Sequence, residues 1–215
     1  MTLRFAKSKE PSQLRAWIRS SEPIADRSWE DLRGEPKDAA RTRLHRDQQG
    51  LCCYCYSRIP DDHTSHIEHV EPQNSHNRFD WENFALACEG GNQTGNPAHC
   101  DHGKDQSRLD VIHPYKAPVM QFVTLREQGK LGVIDDAARR DVDEVLNLNA
   151  AHLQRQRESA RQAVVAKLAR GKRRDEEWRR LDLEQILDKL RQLGAPIAYQ
   201  PLLEAWLERR LGRAS

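Results

Sequence analysis

The chain has 215 residues, of which 37% are hydrophobic and 32% charged, and a formal net charge of +2. This size suits one good-sized domain or a small domain with an extension, and five Trp with well-spaced Leu supply core anchors that a disordered chain lacks. No run approaches the roughly 18 apolar residues of a spanning helix, and the opening Met1-Thr2-Leu3-Arg4-Phe5-Ala6-Lys7 lacks the apolar region of a signal peptide, so a cytoplasmic protein without membrane association is expected.

In chain order, Pro11 to Arg19 and Ser28 to Leu32 read as short helices, the second capped by Ser28. Pro36 opens a stronger helix over Lys37 to Gln49, which Gly50 stops. Leu51 to Ile59 reads as a knuckle between short extended pieces, and Thr64 to Val70 as a strand. A polar loop over Glu71 to Asp80 follows, then Phe84 to Ala87 as a buried strand or single turn. Gly90-Gly91 and Asn96-Pro97 punctuate a loop over Glu89 to Ala98. A short helix is expected from His102 to about Arg108, and a hairpin from Phe122 to Leu125 and Leu131 to Ile134. The rest is predicted helical: Asp136 to Leu146, Ala150 to Arg170, Arg173 to Leu193 and Gln200 to Leu211. Trp178, Leu181, Ile186, Leu190 and Leu193 fall at helical spacings, as do Leu203, Trp206 and Leu207. The expected architecture is α+β and mainly helical: an N-terminal helical segment over 1–50, a core over 51–115, and a hairpin with a C-terminal helical region over 116–215.

Charge is unevenly spread. From Ala150 onward 15 Lys/Arg face 9 Asp/Glu, against 20 and 24 before it. A basic region attracts phosphates, although solvated helix faces explain any single Arg as well.

Five cysteines, four of them paired by spacing, point to metal binding rather than disulfides. Cys52-x-x-Cys55 aims two sulfurs at one ion, and Cys88 and Cys100, with 11 residues between them, supply the other pair. His99 is the alternative to one thiolate, and Cys53 is assigned to the core. Four protein ligands leave no open position, so the Zn²⁺ is expected to be structural.

Between the pairs lie His66-Ile67-Glu68-His69, then Trp81-x-Asn83. Neighbouring strand side chains face opposite ways, so Glu68 and His69 can share a task only where the strand ends or bends. Cys52-x-x-Cys55, Glu68-His69, Asn83 and Cys100-x-x-x-Lys104 together resemble the HNH endonuclease family, with its ββα-metal finger. The resemblance implies that His69 is the general base, Glu68 a ligand of the catalytic divalent cation, and Asn83 a brace for the connecting loop. The second metal ligand in that family is usually His or Asn just after the last Cys. Here that place holds Asp101, with His102 beside it, and either can reach the ion. Mg²⁺ or Mn²⁺ is the implied catalytic cation. The chemistry is coherent: a neutral His takes a proton from water, the cation stabilises phosphate and leaving oxygen, Asn83 orients the His69 ring, and Lys104 contacts a phosphate.

Ile67-Glu68-His69 with Pro72, Trp81-x-Asn83, Asp143-x-x-Leu146-Asn147-Leu148-Asn149 and Leu153-x-x-Gln156-Arg157 also resemble the HNH proteins of bacterial retron and Septu anti-phage systems. That resemblance, over roughly residues 1–165, implies a defence nuclease controlled by an ABC/SMC-like ATPase partner. DNA is the default substrate, with RNA, including tRNA, the other option. Two further readings are a zinc-stabilised module that binds nucleic acid or a protein without cutting, and a scaffold resting on the C-terminal helices with Trp178 and Trp206. The stripe Leu203, Trp206, Leu207 and Leu211 is either a docking face for the ATPase or ordinary core.

Overall fold

The computed structural model describes residues 3–20, 26–60, 65–91, 95–168 and 180–213. Helix α1 (Ser12–Ile18) follows Pro11, and α2 (Glu35–Asp47) carries Pro36 in its first turn, where a missing N–H goes unnoticed. The chain leaves α2 through Gln49 and Gly50, both left-handed, with the Gly50 N–H closing on His45 O at 2.8 Å. The knuckle then folds back on itself through a bridge between Leu51 and Arg58.

Strands β1 (His66–His69) and β2 (Phe84–Ala87) pair antiparallel, His66 opposite Ala87 and His69 opposite Phe84. Thr64, expected to open β1, lies outside the described residues. The outer edge of β2 is covered twice: the Gln48 amide bonds the Leu86 N–H and carbonyl at 2.7 and 2.8 Å, and the Cys53 N–H donates to the same carbonyl at 2.9 Å. The knuckle and the end of α2 are thereby fastened to the sheet.

Helix α3 (Cys100–Lys104) starts and stops earlier than expected. Asp105 turns left-handed at φ 48° and closes the helix on Asp101 O at 2.8 Å, which ends it at Lys104. The hairpin forms as β3 (Val123–Leu125) against β4 (Leu131–Val133).

The continuous helix expected over Asp136 to Leu146 is instead a 3₁₀ turn (Asp136–Ala138) followed by a π-helix (Arg140–Val145). The buried Asp141 carboxylate accepts the N–H groups of Asp110, Val111 and Ile112 at 2.8–3.0 Å, a tertiary demand that the wider turn accommodates.

Helices α4 (Ala151–Leu168), α5 (Arg180–Arg191) and α6 (Gln200–Arg213) complete the chain. The expected start of α5 at Arg173, and Trp178 with it, lie outside the described residues. Leu203, Trp206 and Leu207 are buried and Leu211 packs partly buried against the same cluster, on a helix packed against α5 and β3, so these side chains serve as core. Just before α6, the Tyr199 N–H donates to Tyr56 O at 2.7 Å, which binds the C-terminal region to the knuckle. Buried residues from Phe5 to Leu207 form one hydrophobic cluster spanning all three expected segments. No helix among the described residues is long and apolar enough to cross a membrane.

Candidate metal centre

Cys52, Cys55, Cys88 and Cys100 converge on one point. Cys52 Sγ lies 3.9 Å from Cys100 Sγ, and Cys55 Sγ 3.8 Å from Cys88 Sγ. Sulfurs each about 2.3 Å from a tetrahedral ion stand about 3.8 Å apart, so these four can hold a metal such as zinc. Backbone N–H groups support the sulfurs: Cys88 N–H donates to Cys52 Sγ at 3.4 Å and Ser57 N–H to Cys55 Sγ at 3.5 Å. Cys53 is buried in the core outside this cluster, and burial pushes its thiol pKa well up. His99 is no member of the four-sulfur set. Its Nδ1 stands 3.9 Å from Cys88 Sγ and its ring stacks on His152 at 4.7 Å. Arg157 of α4 is fully buried, with Nε donating to Gly129 O at 2.7 Å and both terminal nitrogens lacking a hydrogen-bond partner. Burial lowers its pKa to about 10, while Cys55, Tyr199 and Cys100 oppose that fall.

The second cluster lies between β1 and α3. Strand alternation sends His66 and Glu68 to the face covered by α3, where Asp101 and His102 stand. Glu68 is buried: its Oε1 accepts from the Tyr54 hydroxyl at 2.7 Å and lies 3.0 Å from Lys104 Nζ. Burial and the nearby Asp101 raise the Glu68 pKa well above the usual carboxylate range, and Lys104 and Tyr54 oppose the rise. Lys104, expected to contact a phosphate, is corrected here. Its side chain is 1% exposed, and Nζ also donates to His69 O at 2.9 Å, so it is an internal tie between α3 and β1.

His69 closes β1. Its Nε2 lies 2.9 Å from Arg78 O, and a carbonyl only accepts, so Nε2 carries the proton and Nδ1 keeps its lone pair. Trp29 and Phe84 meet the ring edge-on, with centroids 4.5 and 5.2 Å away. Burial lowers the His69 pKa below 6.5, against the opposing pull of the Arg78 carbonyl bond. Asn83 does not orient this ring. Its amide clamps Glu71, accepting from the N–H at 2.7 Å and donating to the carbonyl at 3.1 Å, and so braces the chain after β1. Sequence reasoning missed the Arg78 carbonyl, Tyr54 and His66. Only His66 had a legible signal, since two residues before Glu68 is the same strand face. No protein-family model and no curated protein matches the chain.

Proposed function

We propose that the chain is a metal-dependent HNH endonuclease that hydrolyses phosphodiester bonds of nucleic acid. The observation that carries this reading is the His69 ring, held in one tautomer by the Arg78 carbonyl. On this reading β1, β2 and α3 are the ββα finger, and the four cysteines hold a structural Zn²⁺.

His69 Nδ1 accepts the proton of the attacking water. Its lowered pKa keeps it neutral at pH 7, and the Trp29 and Phe84 contacts keep it aimed. Asp101 and His102, on the first turn of α3, fit a divalent cation, and His102 has a buried Nδ1 without a hydrogen-bond partner. Glu68 lies beside Asp101, with its Oε1 held by Lys104 and Tyr54. A bound divalent cation supplies charge stabilisation to the phosphate and leaving oxygen. The motif likeness to retron and Septu HNH proteins supports the finer proposal of an anti-phage effector working with an ATPase partner. The Glu68–Lys104 pair favours the alternative, a zinc-stabilised binding module in which Glu68 is purely structural.

A nuclease panel separates the two. Purified protein is incubated with plasmid, single-stranded DNA and RNA plus Mg²⁺ or Mn²⁺. His69→Ala is expected to lower cutting by about 10²–10⁴-fold, with zinc content and the fold retained. Equal cutting by the variant removes His69 as base, and binding without cutting by wild type supports the module. The pH profile gives a second check. Because the His69 pKa lies below 6.5, cutting is expected to persist through neutrality and to fall only at lower pH, where the ring gains a proton. A half-loss centred above 6.5 assigns the limb to another group.

A further inference from the structure

One side chain in the second cluster lies outside the ligands that the HNH likeness implies. His66 opens β1 and faces α3, and one ligating atom each from His66, Asp101 and His102 lies within 4.8 Å of the others. His66 Nδ1 and Asp101 Oδ2 are 4.0 Å apart, too far for a hydrogen bond. Two atoms each about 2.1 Å from one ion stand at most about 4.2 Å apart, so this pair already lies within ligating span. The His66 and His102 rings meet at 4.7 Å and 70°, which leaves them close without sharing a proton. His102 Nδ1 is buried without a hydrogen-bond partner, a free-energy cost unless something outside the chain relieves it. Gly90 keeps this ring in place: a Cβ there would sit 2.7 Å from His102 Cβ, so the loop closes down on it.

Glu68 is different. Lys104 and Tyr54 both hold its Oε1, its carboxylate also meets Asp101, and it is not among the atoms that converge within 4.8 Å. The donors that meet at one point are two imidazoles and one carboxylate. Imidazole nitrogens suit zinc, nickel, iron and copper, whereas Mg²⁺ prefers oxygen and retained water. We propose that His66, Asp101 and His102 form a second metal site selective for a transition-metal ion over Mg²⁺. This rests on the nuclease reading only in making that ion the hydrolytic one; binding is testable alone.

The test uses full-length, zinc-loaded protein titrated with Co²⁺, whose visible absorption reports its ligands. One equivalent is expected to bind without thiolate charge-transfer intensity, which separates this site from the four cysteines. His66→Ala is expected to raise the Co²⁺ Kd by at least about 10-fold, with zinc content and melting unchanged, since His66 is 39% exposed. Asp101→Asn, of equal size, is expected to weaken Co²⁺ as well. A millimolar excess of Mg²⁺ is expected not to displace Co²⁺. Unchanged affinity in both variants, or ready displacement by Mg²⁺, overturns the site. Failure here with Mg²⁺-dependent cutting intact leaves the nuclease reading standing. Co²⁺ binding as described, with no cutting of any substrate in Co²⁺, Mn²⁺ or Mg²⁺, upholds the site and defeats that reading.

Discussion

Replacing Cys100 by Ala is expected to abolish metal binding at the four-cysteine cluster, and the cooperative thermal transition with it. The four sulfurs come from two stretches that the sequence keeps far apart, Cys52 to Cys55 and Cys88 to Cys100, and among the described residues no disulfide joins them. A metal held by all four thiolates would link the two stretches directly. Structural zinc contributes about 10–16 kcal/mol of apparent binding free energy, comparable to the whole stability of a typical domain at about 5–15 kcal/mol. Cys100 also precedes Asp101 directly, so its loss releases α3 and the second cluster together. The measurement is zinc stoichiometry by atomic emission alongside circular-dichroism melting, on wild type, the variant, and wild type treated with a chelator. The variant and the chelated protein should behave alike. A variant that melts like wild type makes these thiols ordinary core residues.

The second large effect is expected at Lys104. A lysine near a helix end normally tolerates replacement within about 0.5 kcal/mol. Here the side chains of Lys104 and Glu68 are 1% and 3% exposed. Removing one member of a buried ion pair costs about 3–5 kcal/mol, the lower end applying here because Glu68, its pKa already raised by burial and Asp101, can take up a proton. For a chain of this size Lys104→Met should lower the melting temperature by about 6–20 °C. The added change Glu68→Gln removes the stranded carboxylate and should recover a good part of that loss. The double-mutant cycle over the two positions isolates the coupling. A fall below 2 °C for Lys104→Met would show that the pair is worth no more than a surface contact.

The legible and illegible parts of the chain divide along a physical line. Local signals could be read: Pro36 at a helix start, Gly50 at its end, the Cys52-x-x-Cys55 spacing, and the two short apolar runs either side of residues 126–130 that became β3 and β4. Convergence of Cys88 and Cys100 on the first pair was legible too, because a metal with four ligands demands it. Lys104 was not, because its burial depends on Glu68 facing it across a different element. The clamp on His69 was beyond reach for a stronger reason: its partner is a backbone carbonyl, which every residue carries. The π-helix over Arg140–Val145 answers to three N–H groups about thirty residues upstream, which helical periodicity cannot register. His66 is the instructive omission, since alternation already placed it beside Glu68.

The bond from the Tyr199 N–H to the Tyr56 carbonyl has a practical bearing. Tyr56 sits at φ 63°, a posture that a bulky aromatic residue holds only when its surroundings insist. Part of that insistence comes from the approach to α6, nearly 150 positions further along. The stretch that carries Cys52 and Cys55 is therefore no portable cassette. Cut out at its apparent borders, it would shed the lid that shields its own backbone, and grafting it elsewhere would require carrying the end of the chain with it.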